Sequence, residues 1–311
     1  LHDKYLIIDD QMYLLGGRNT FNLFLGDYTP VKNIDRELFI YETAGDPEAS
    51  IHQLKQYFQS VWELPDAKLY TKMGDREKSQ ECIQWLTAHA DALKSSYPSA
   101  YEPWDYEALT METNRITLLH NPINASNKEP WMWETVCHLM GTGKEITVYT
   151  PYIICGKEMY ADLTALCKKT DLVEIITNDV ASGANPWGCT DYLNQKKKIW
   201  ATGVRVYEYL GEHSSHSKAV LIDDRMSIVG SYNMDMRSTY QDTELMLAVD
   251  SPELNAVIRK EAEVNKTYSR YMTPEGTYIN GENYVPREMS AGKKLFYGVL
   301  RVLIMPFRRF L

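Results

Sequence analysis

Two stretches of the chain carry the same alternation of apolar and polar positions. After His2, the run Tyr5, Leu6, Ile7, Ile8 leads through Asp9-Asp10-Gln11 into Tyr13, Leu14 and Leu15; after His216, Ala219, Val220, Leu221, Ile222 lead through Asp223-Asp224-Arg225 into Ser227, Ile228 and Val229. Each pattern predicts two short buried strands around a turn, with aspartates supplying the turn chemistry. A helical period opens at Pro47 and places Ile51, Leu54, Tyr57, Phe58, Val61 and Trp62 together, with His52 a structural member of that helix. From residue 114 the pattern alternates. Strands are predicted at 115–119, 145–149, 173–177 and 204–209, and helices at 131–140, 157–168 and 191–201. Beyond the second hairpin, a strand at 245–249 and a helix at 252–268 repeat the order of the strand at 37–43 and the helix after it. This rhythm predicts an α/β protein of two similar halves, each a mixed sheet flanked by helices. The first half takes residues 1–65, a polar connector with a helix at 79–93 takes 66–112, the second half takes 113–285, and a tail closes the chain at 286–311. Residues 271–286 read as loop.

The repeat extends to the polar positions. His2, Lys4, Asp9, Gly16 and Asn19 recur at the same offsets as His216, Lys218, Asp223, Gly230 and Asn233. At about one in twenty per matched position, chance does not produce five matches at fixed offsets. His and Lys lie two apart on a strand, so both side chains leave the same face. Further along, I-D-R-E and Q-D-T-E each end in an acid before an apolar run, at Glu37 and Glu244.

The doubled H-x-K-x-x-x-x-D, each copy followed by G-G/S-x-N, resembles the phospholipase D superfamily. The run G-S-Y-N-M-D-M-R-S, from Gly230 to Ser238, resembles bacterial cardiolipin synthases. The resemblance implies two phospholipase D-like halves placing His2 and His216 across one cleft. It also implies strands and a helix ahead of the first motif, so the first half is expected to be truncated at its N-terminus. The implied activity is phosphatidyl transfer between phospholipids, the cardiolipin synthase reaction. Its substrate would be a lipid such as phosphatidylglycerol and its partner an anionic membrane surface, with the protein peripheral on the cytoplasmic side. The rivals are a phosphodiesterase acting on lipid or nucleic acid, and an inactive lipid-binding homologue.

A phosphodiester repels an attacking oxygen, and covalent catalysis splits the exchange into two easier steps. One imidazole forms a phosphohistidine while the other protonates the departing alkoxide and then deprotonates the incoming alcohol, which suits a group that titrates near about 6.5. The resemblance assigns the nucleophile to His2 and the proton transfers to His216. Lys4, Lys218, Asn19 and Asn233 would hold the nonbridging oxygens. Glu37 and Glu244 would each accept from the other ring nitrogen of a histidine, as a triad carboxylate does. Asp9 and Asp223 sit at the turns as structural residues, with Ser231 and Gly17 as further support. No metal or cofactor is expected: His213 and His216 have H-x-x-H spacing, but the first copy has no match for His213, and His120 and His138 lie outside any motif. Nor is there a glycine-rich phosphate loop.

Composition narrows the partners. A hydrophobic content of 44% with 24% charged residues is that of a globular protein, and the net charge of −9 argues against a general nucleic-acid binder. Only the tail is basic, with Arg287, Lys293, Lys294, Arg301, Arg308 and Arg309 against Glu288. Together with Phe296, Leu300, Leu303, Phe307 and Phe310 it reads either as an interfacial anchor or as a helix docked on the core. Five cysteines without a C-x-x-C pair read as reduced thiols. The loop at 21–32 either lines a substrate groove with Phe21, Phe24 and Tyr28 or packs on the surface.

Overall fold

In both copies the alternation becomes an antiparallel hairpin joined to one further strand. The computed structural model describes residues 1–311 apart from 21, 27–28, 73, 125–127 and 184. Strands β1 (Tyr5–Ile8) and β2 (Met12–Gly16) are followed by a two-residue strand, β3 (Asn33–Ile34), and by β4 (Glu37–Tyr41), giving the sheet order β1-β2-β4. Helix α1 (Ser50–Trp62) follows. It is tied to β2 by a hydrogen bond of 2.7 Å between the Tyr13 and Ser50 hydroxyls.

The chain divides into two compact units, Leu1–Lys55 with Glu112–Leu311, and Gln56–Met111. The smaller corresponds roughly to the polar connector. Its helix α2 (Arg76–Ser96) begins at Asp75, whose carboxylate accepts from the Glu77 and Lys78 amides, and buries no residue. Met73, in the charge-rich stretch of the connector, lies outside the described residues.

In the larger unit, β5 (Arg115–His120), α3 (Trp131–Met140), β6 (Glu145–Tyr149), α4 (Lys157–Lys169), β7 (Leu172–Asn178), α5 (Pro186–Ala201) and β8 (Arg205–Tyr209) follow the predicted rhythm. The short β9 (Ser214–Ser215) leads into the hairpin β10 (Ala219–Ile222) and β11 (Met226–Gly230). Then come α6 (Met236–Tyr240), β12 (Leu245–Asp250), α7 (Pro252–Thr267), β13 (Ser269–Met272), β14 (Tyr278–Asn280) and α8 (Ala291–Leu303). Among the described residues nine strands of this half form one mixed sheet in the order β14-β13-β8-β7-β6-β10-β11-β12-β5, with β6, β7 and β8 parallel and the other pairs antiparallel, while β9 pairs with β3.

Strand β7 is buried along six of its seven residues because helices cover both faces of the parallel segment. Met132, Trp133, Val136, Met140, Met159, Leu163 and Ile199 of α3, α4 and α5 pack with Ile146, Val148, Val173 and Ile175 to form the main core. Such dense apolar burial is the dominant stabilising term. Where loop was expected, β13 and β14 extend the sheet. Arg270 and Tyr278 reach the buried Glu208, a charge network that leaves no apolar alternation to read.

The two hairpin sheets meet inside the larger unit, with β2 and β4 against β11 and β12. Gly16 and Gly230 let each sheet close up. A Cβ at Gly16 would lie 2.5 Å from the Arg36 carbonyl oxygen, and one at Gly230 would lie 2.1 Å from that of Leu245. Asp9 and Asp223 turn the hairpins with φ of 54° and 49°, the left-handed region that aspartate tolerates better than most residues. Asp223 also accepts from the Lys144 and Glu145 amides at 2.8 and 2.9 Å, which pins β6 beside β10.

Candidate active site

The backbone crosses between the copies before any side chain does. His2 N–H donates to the Thr243 carbonyl at 3.3 Å and His216 N–H to the Ile34 carbonyl at 2.7 Å. Each acceptor immediately precedes an acid, Glu244 in one copy and Asp35 in the other. The side chains cross likewise. Glu244 accepts from His2 Nδ1 at 2.9 and 3.0 Å through its two oxygens, and Asp35 accepts from His216 Nδ1 at 2.6 Å. Both carboxylates are inaccessible to solvent, while the His2 and His216 side chains keep 24% and 15% of their exposure. With Nδ1 held by a carboxylate, Nε2 is the nitrogen each ring has left for chemistry, approached in His216 by the Lys218 ammonium at 3.2 Å.

Glu37 is a correction to the sequence expectation. It bonds Arg18 Nε at 2.7 Å and is partly exposed, and it touches neither histidine. Register gives the reason: Gly16 pairs with Glu37 in the first sheet and Gly230 with Met246 in the second. Glu37 is therefore the counterpart of Met246, and Asp35 that of Glu244. The acids are exchanged between the copies, Glu244 serving His2 and Asp35 serving His216. Arg18 bridges Glu37 to the carbonyls of Phe24 and Asp35 at 2.8 and 3.1 Å, so Glu37 helps fix the loop and strand end that carry Asp35.

The lysines repeat and then diverge. Lys4 and Lys218 each donate to the carbonyl of the histidine two residues earlier, at 2.5 Å for Lys4. The Lys218 ammonium also lies 2.6 Å from His216 Nδ1 and 3.2 Å from Nε2, and 3.9 Å from Asp35, with its side chain wholly buried. Burial pushes Lys218 down to about 8 against the pull of Asp35 and Glu244. Burial also depresses Lys4, opposed chiefly by Glu244. His216 is pushed down to about 4, first by burial and then by the Lys218 ammonium, which outweigh the hydrogen bond and charge of Asp35. Burial alone would raise the Asp35 carboxyl, yet His216 and Lys218 hold it below the usual range.

Ser231 donates to Glu244 at 2.5 Å and so fixes the carboxylate. At Gly17, the residue after Gly16 as Ser231 follows Gly230, a Cβ would meet Asp35 Oδ1 at 2.8 Å and Lys218 Cδ at 2.9 Å. Asn233 donates to the Tyr152 hydroxyl at 3.2 Å and keeps a buried Oδ1 without a partner among the described residues. Asn19 lies with His216 on a cavity of about 230 Å³ that also takes in Asn33, Asn178, Asn185 and Phe24. Phe24 sets its ring edge-on to His216 at 4.9 Å, whereas Phe21 and Tyr28 lie outside the described residues.

Two residues that pattern reading missed belong to this region. Asp235 is buried and pushed up to about 7 by that burial, and it caps α6 through the Ser238 amide at 2.6 Å. Lys128 is 5% exposed and has Asp3, Asp242 and Glu244 as its charged neighbours. His2, Asp242 and Glu244 bring ligand-type atoms within 4.8 Å of one another. These atoms are already engaged, Glu244 by His2 and Ser231 and Asp242 by Arg237 at 3.0 Å.

Two histidines with crossed carboxylates and flanking lysines thus stand together on paired sheets. Residues 136–265 match the family model described as the cardiolipin synthase, phospholipase D-like domain. The chain is distantly similar to cardiolipin synthase A of Erwinia tasmaniensis, with 28% identity over 108 residues that cover 34% of this chain and 21% of that protein. Against an uncharacterized protein of Helicobacter pylori, identity is 23% over 292 residues, 83% of this chain and 56% of the relative. The chain thus spans between 21% and 56% of the length of these curated relatives. The crystal structure of phosphatidylserine synthase from Haemophilus influenzae shares the fold, with a TM-score of 0.59 and 16% identity, over 100% of this chain and 71% of that one.

Proposed function

We propose that this site transfers a phosphatidyl group between phospholipids through a phosphohistidine, the reaction of a cardiolipin synthase. The observation that carries the reading is the exchange of carboxylates, which joins two histidines and two lysines into one site. Charge around the rings supports His216 as nucleophile and His2 as proton carrier, the reverse of the order that the resemblance implies. His216, beside an ammonium and held near 4, keeps a neutral ring with an available lone pair at neutral pH. His2 stands among anions, and a proton on it is paired at once with Glu244.

In the first half-reaction the His216 Nε2 lone pair forms the P–N bond. The P–O bond to the leaving alcohol breaks, and that oxygen takes its electron pair and the proton of His2. In the second, neutral His2 removes the proton of the acceptor alcohol, whose oxygen forms the new P–O bond while the P–N pair returns to His216. Lys4 and Lys218 stabilise the added charge on the nonbridging oxygens.

Lipid as the substrate class is supported by the net charge of −9, the names of the relatives, and the apolar outer face of α8. That face would hold the protein at an anionic membrane, since among the described residues no helix is long and apolar enough to cross one. Given phosphatidylglycerol vesicles, the full-length protein should make cardiolipin and release glycerol. Phosphatidic acid as the main product would show a hydrolase instead.

A further inference from the structure

The cavity of about 230 Å³ beside His216 has walls that the doubled motif does not account for. Leu23, Phe24, Pro151 and Tyr152 give it apolar surface, and amides and hydroxyls give it polar surface. Among the described residues no Lys, Arg, Asp or Glu lines it. Several of its polar groups are spent on the fold. Asn178 accepts from the Ser215 amide at 2.8 Å and donates to the Pro151 and Ser215 carbonyls, the Asn185 side chain caps α5, and the Ser214 hydroxyl donates to the Ser182 carbonyl at 2.6 Å. Asn33 is different. It is 6% exposed, and among the described residues its side-chain amide has no hydrogen-bond partner, so the cavity is where that amide can be satisfied. Its backbone is held on both sides: N–H donates to the Leu23 carbonyl at 2.9 Å, and β3 pairs with β9 so that Asn33 lies opposite Ser214. The next residue, Ile34, accepts from His216 N–H, and Asp35 after it holds the ring. One short stretch therefore carries both the carboxylate that orients His216 and the open amide on the cavity beside it.

What the cavity takes follows from its chemistry and its position. An ammonium or a further phosphate buried here would have no counter-charge, which is costly. An uncharged acceptor suits the open amide. At about 230 Å³ the space is below the range of about 300–1,000 Å³ of a whole ligand site, so it receives a part of the substrate. It touches His216 and not His2, Lys4 or Glu244. Leaving and entering alcohols exchange protons at His2, whereas the group that stays on phosphorus remains beside His216 throughout the covalent stage. Resting on the transferase reading with His216 as nucleophile, we propose that the cavity holds the ester-bearing glycerol of the donor phospholipid, and that the Asn33 amide donates to one of its ester carbonyls. Asn33 is then a specificity-determining residue for a diacyl donor. A nucleic-acid strand is disfavoured, because its next phosphate would enter without a cation.

The test uses the full-length protein on vesicles of diacyl phosphatidylglycerol that carry a trace of donor labelled in its headgroup glycerol. The trace donor is either diacyl or dialkyl, the ether form that lacks both ester carbonyls, and release of labelled glycerol gives kcat/KM for each. The wild-type protein should prefer the diacyl donor by about fivefold, the worth of one hydrogen bond between neutral groups. Asn33→Leu, of similar size, should bring the ratio close to one by slowing the diacyl donor alone. Continued release from the dialkyl donor shows that the variant is folded. A wild-type ratio near one, a ratio unchanged in Asn33→Leu, or an equal loss with both donors overturns the proposal. Failure of the transferase reading looks different: phosphatidic acid forms in place of cardiolipin while the label still reports the ratio, and release from neither donor refutes both.

Discussion

Asp35 is one methylene shorter than Glu244, and Gly17 stands at the place of Ser231. The two differences belong together, because any side chain at residue 17 would collide with the Asp35 carboxylate and the Lys218 stem. Asp35 consequently lacks the hydroxyl that steadies Glu244 and relies on His216 and on the Arg36 amide at 2.8 Å. Replacing Asp35 with Asn should cut turnover by about a hundredfold or more, as removal of the charge behind a catalytic histidine does. Glu37→Gln, which loosens Arg18 but leaves the Asp35 carboxylate on His216, should cost less than about tenfold. A larger loss for Glu37→Gln than for Asp35→Asn, measured as kcat/KM, would restore the sequence expectation. The histidines and lysines were legible because they repeat at one fixed offset, which the acids do not keep. Asp35 was misread because both E-L pairs invite alignment, although strand length gives the right count. The Glu42 amide meets the Gln11 carbonyl as the Ser251 amide meets that of Arg225, and seven residues back from each lie Asp35 and Glu244. Lys128 offers no such signal, since nothing in a loop sequence tells a buried lysine from a solvated one.

Among the elements, the parallel strands and their helices were legible because burial on both faces leaves continuous apolar runs. The start of α5 was not. Its first turn, Pro186-Trp187-Gly188, has poor helix propensity and forms because the Asn185 side chain accepts from the Trp187 and Gly188 amides. In the tail one face of α8 is docked on the core, the second of the two expected readings. Tyr297, Leu300 and Ile304 are buried, and α8 packs on α5, so Leu300 is removed from the expected anchor. Arg308 fixes the last turn on the buried Asp191, with its Nη2 3.1 Å from Oδ2. Leu295, Phe296, Val299, Val302, Leu303, Phe307 and Phe310 remain exposed beside Lys294 and Arg301, the makeup of an interfacial helix. Deleting the tail would break the Arg308 bridge, so the cleaner variant is Phe296→Ser with Phe307→Ser. At about 1.5–3 kcal/mol for each apolar side chain buried, the double variant should lose roughly tenfold or more of its sedimentation with anionic liposomes. Undiminished sedimentation would remove the membrane role of this face.

On the scale of the whole molecule, the repeat of sequence becomes a repeat of structure in β1-β2-β4 and β10-β11-β12, and the two exchange their acids across the join. Neither copy holds a complete site. This explains why every motif position is duplicated while the histidines acquire different surroundings, one beside a buried ammonium and the other within an acidic cluster. Roles follow from those surroundings, which sequence symmetry conceals. The claim is tested most directly by quenching the full-length protein during turnover of phosphatidylglycerol labelled at phosphorus and mapping the acid-labile label. The label should lie on His216 and be absent from His216→Ala; label on His2, or no covalent label in the wild-type protein, would contradict the account.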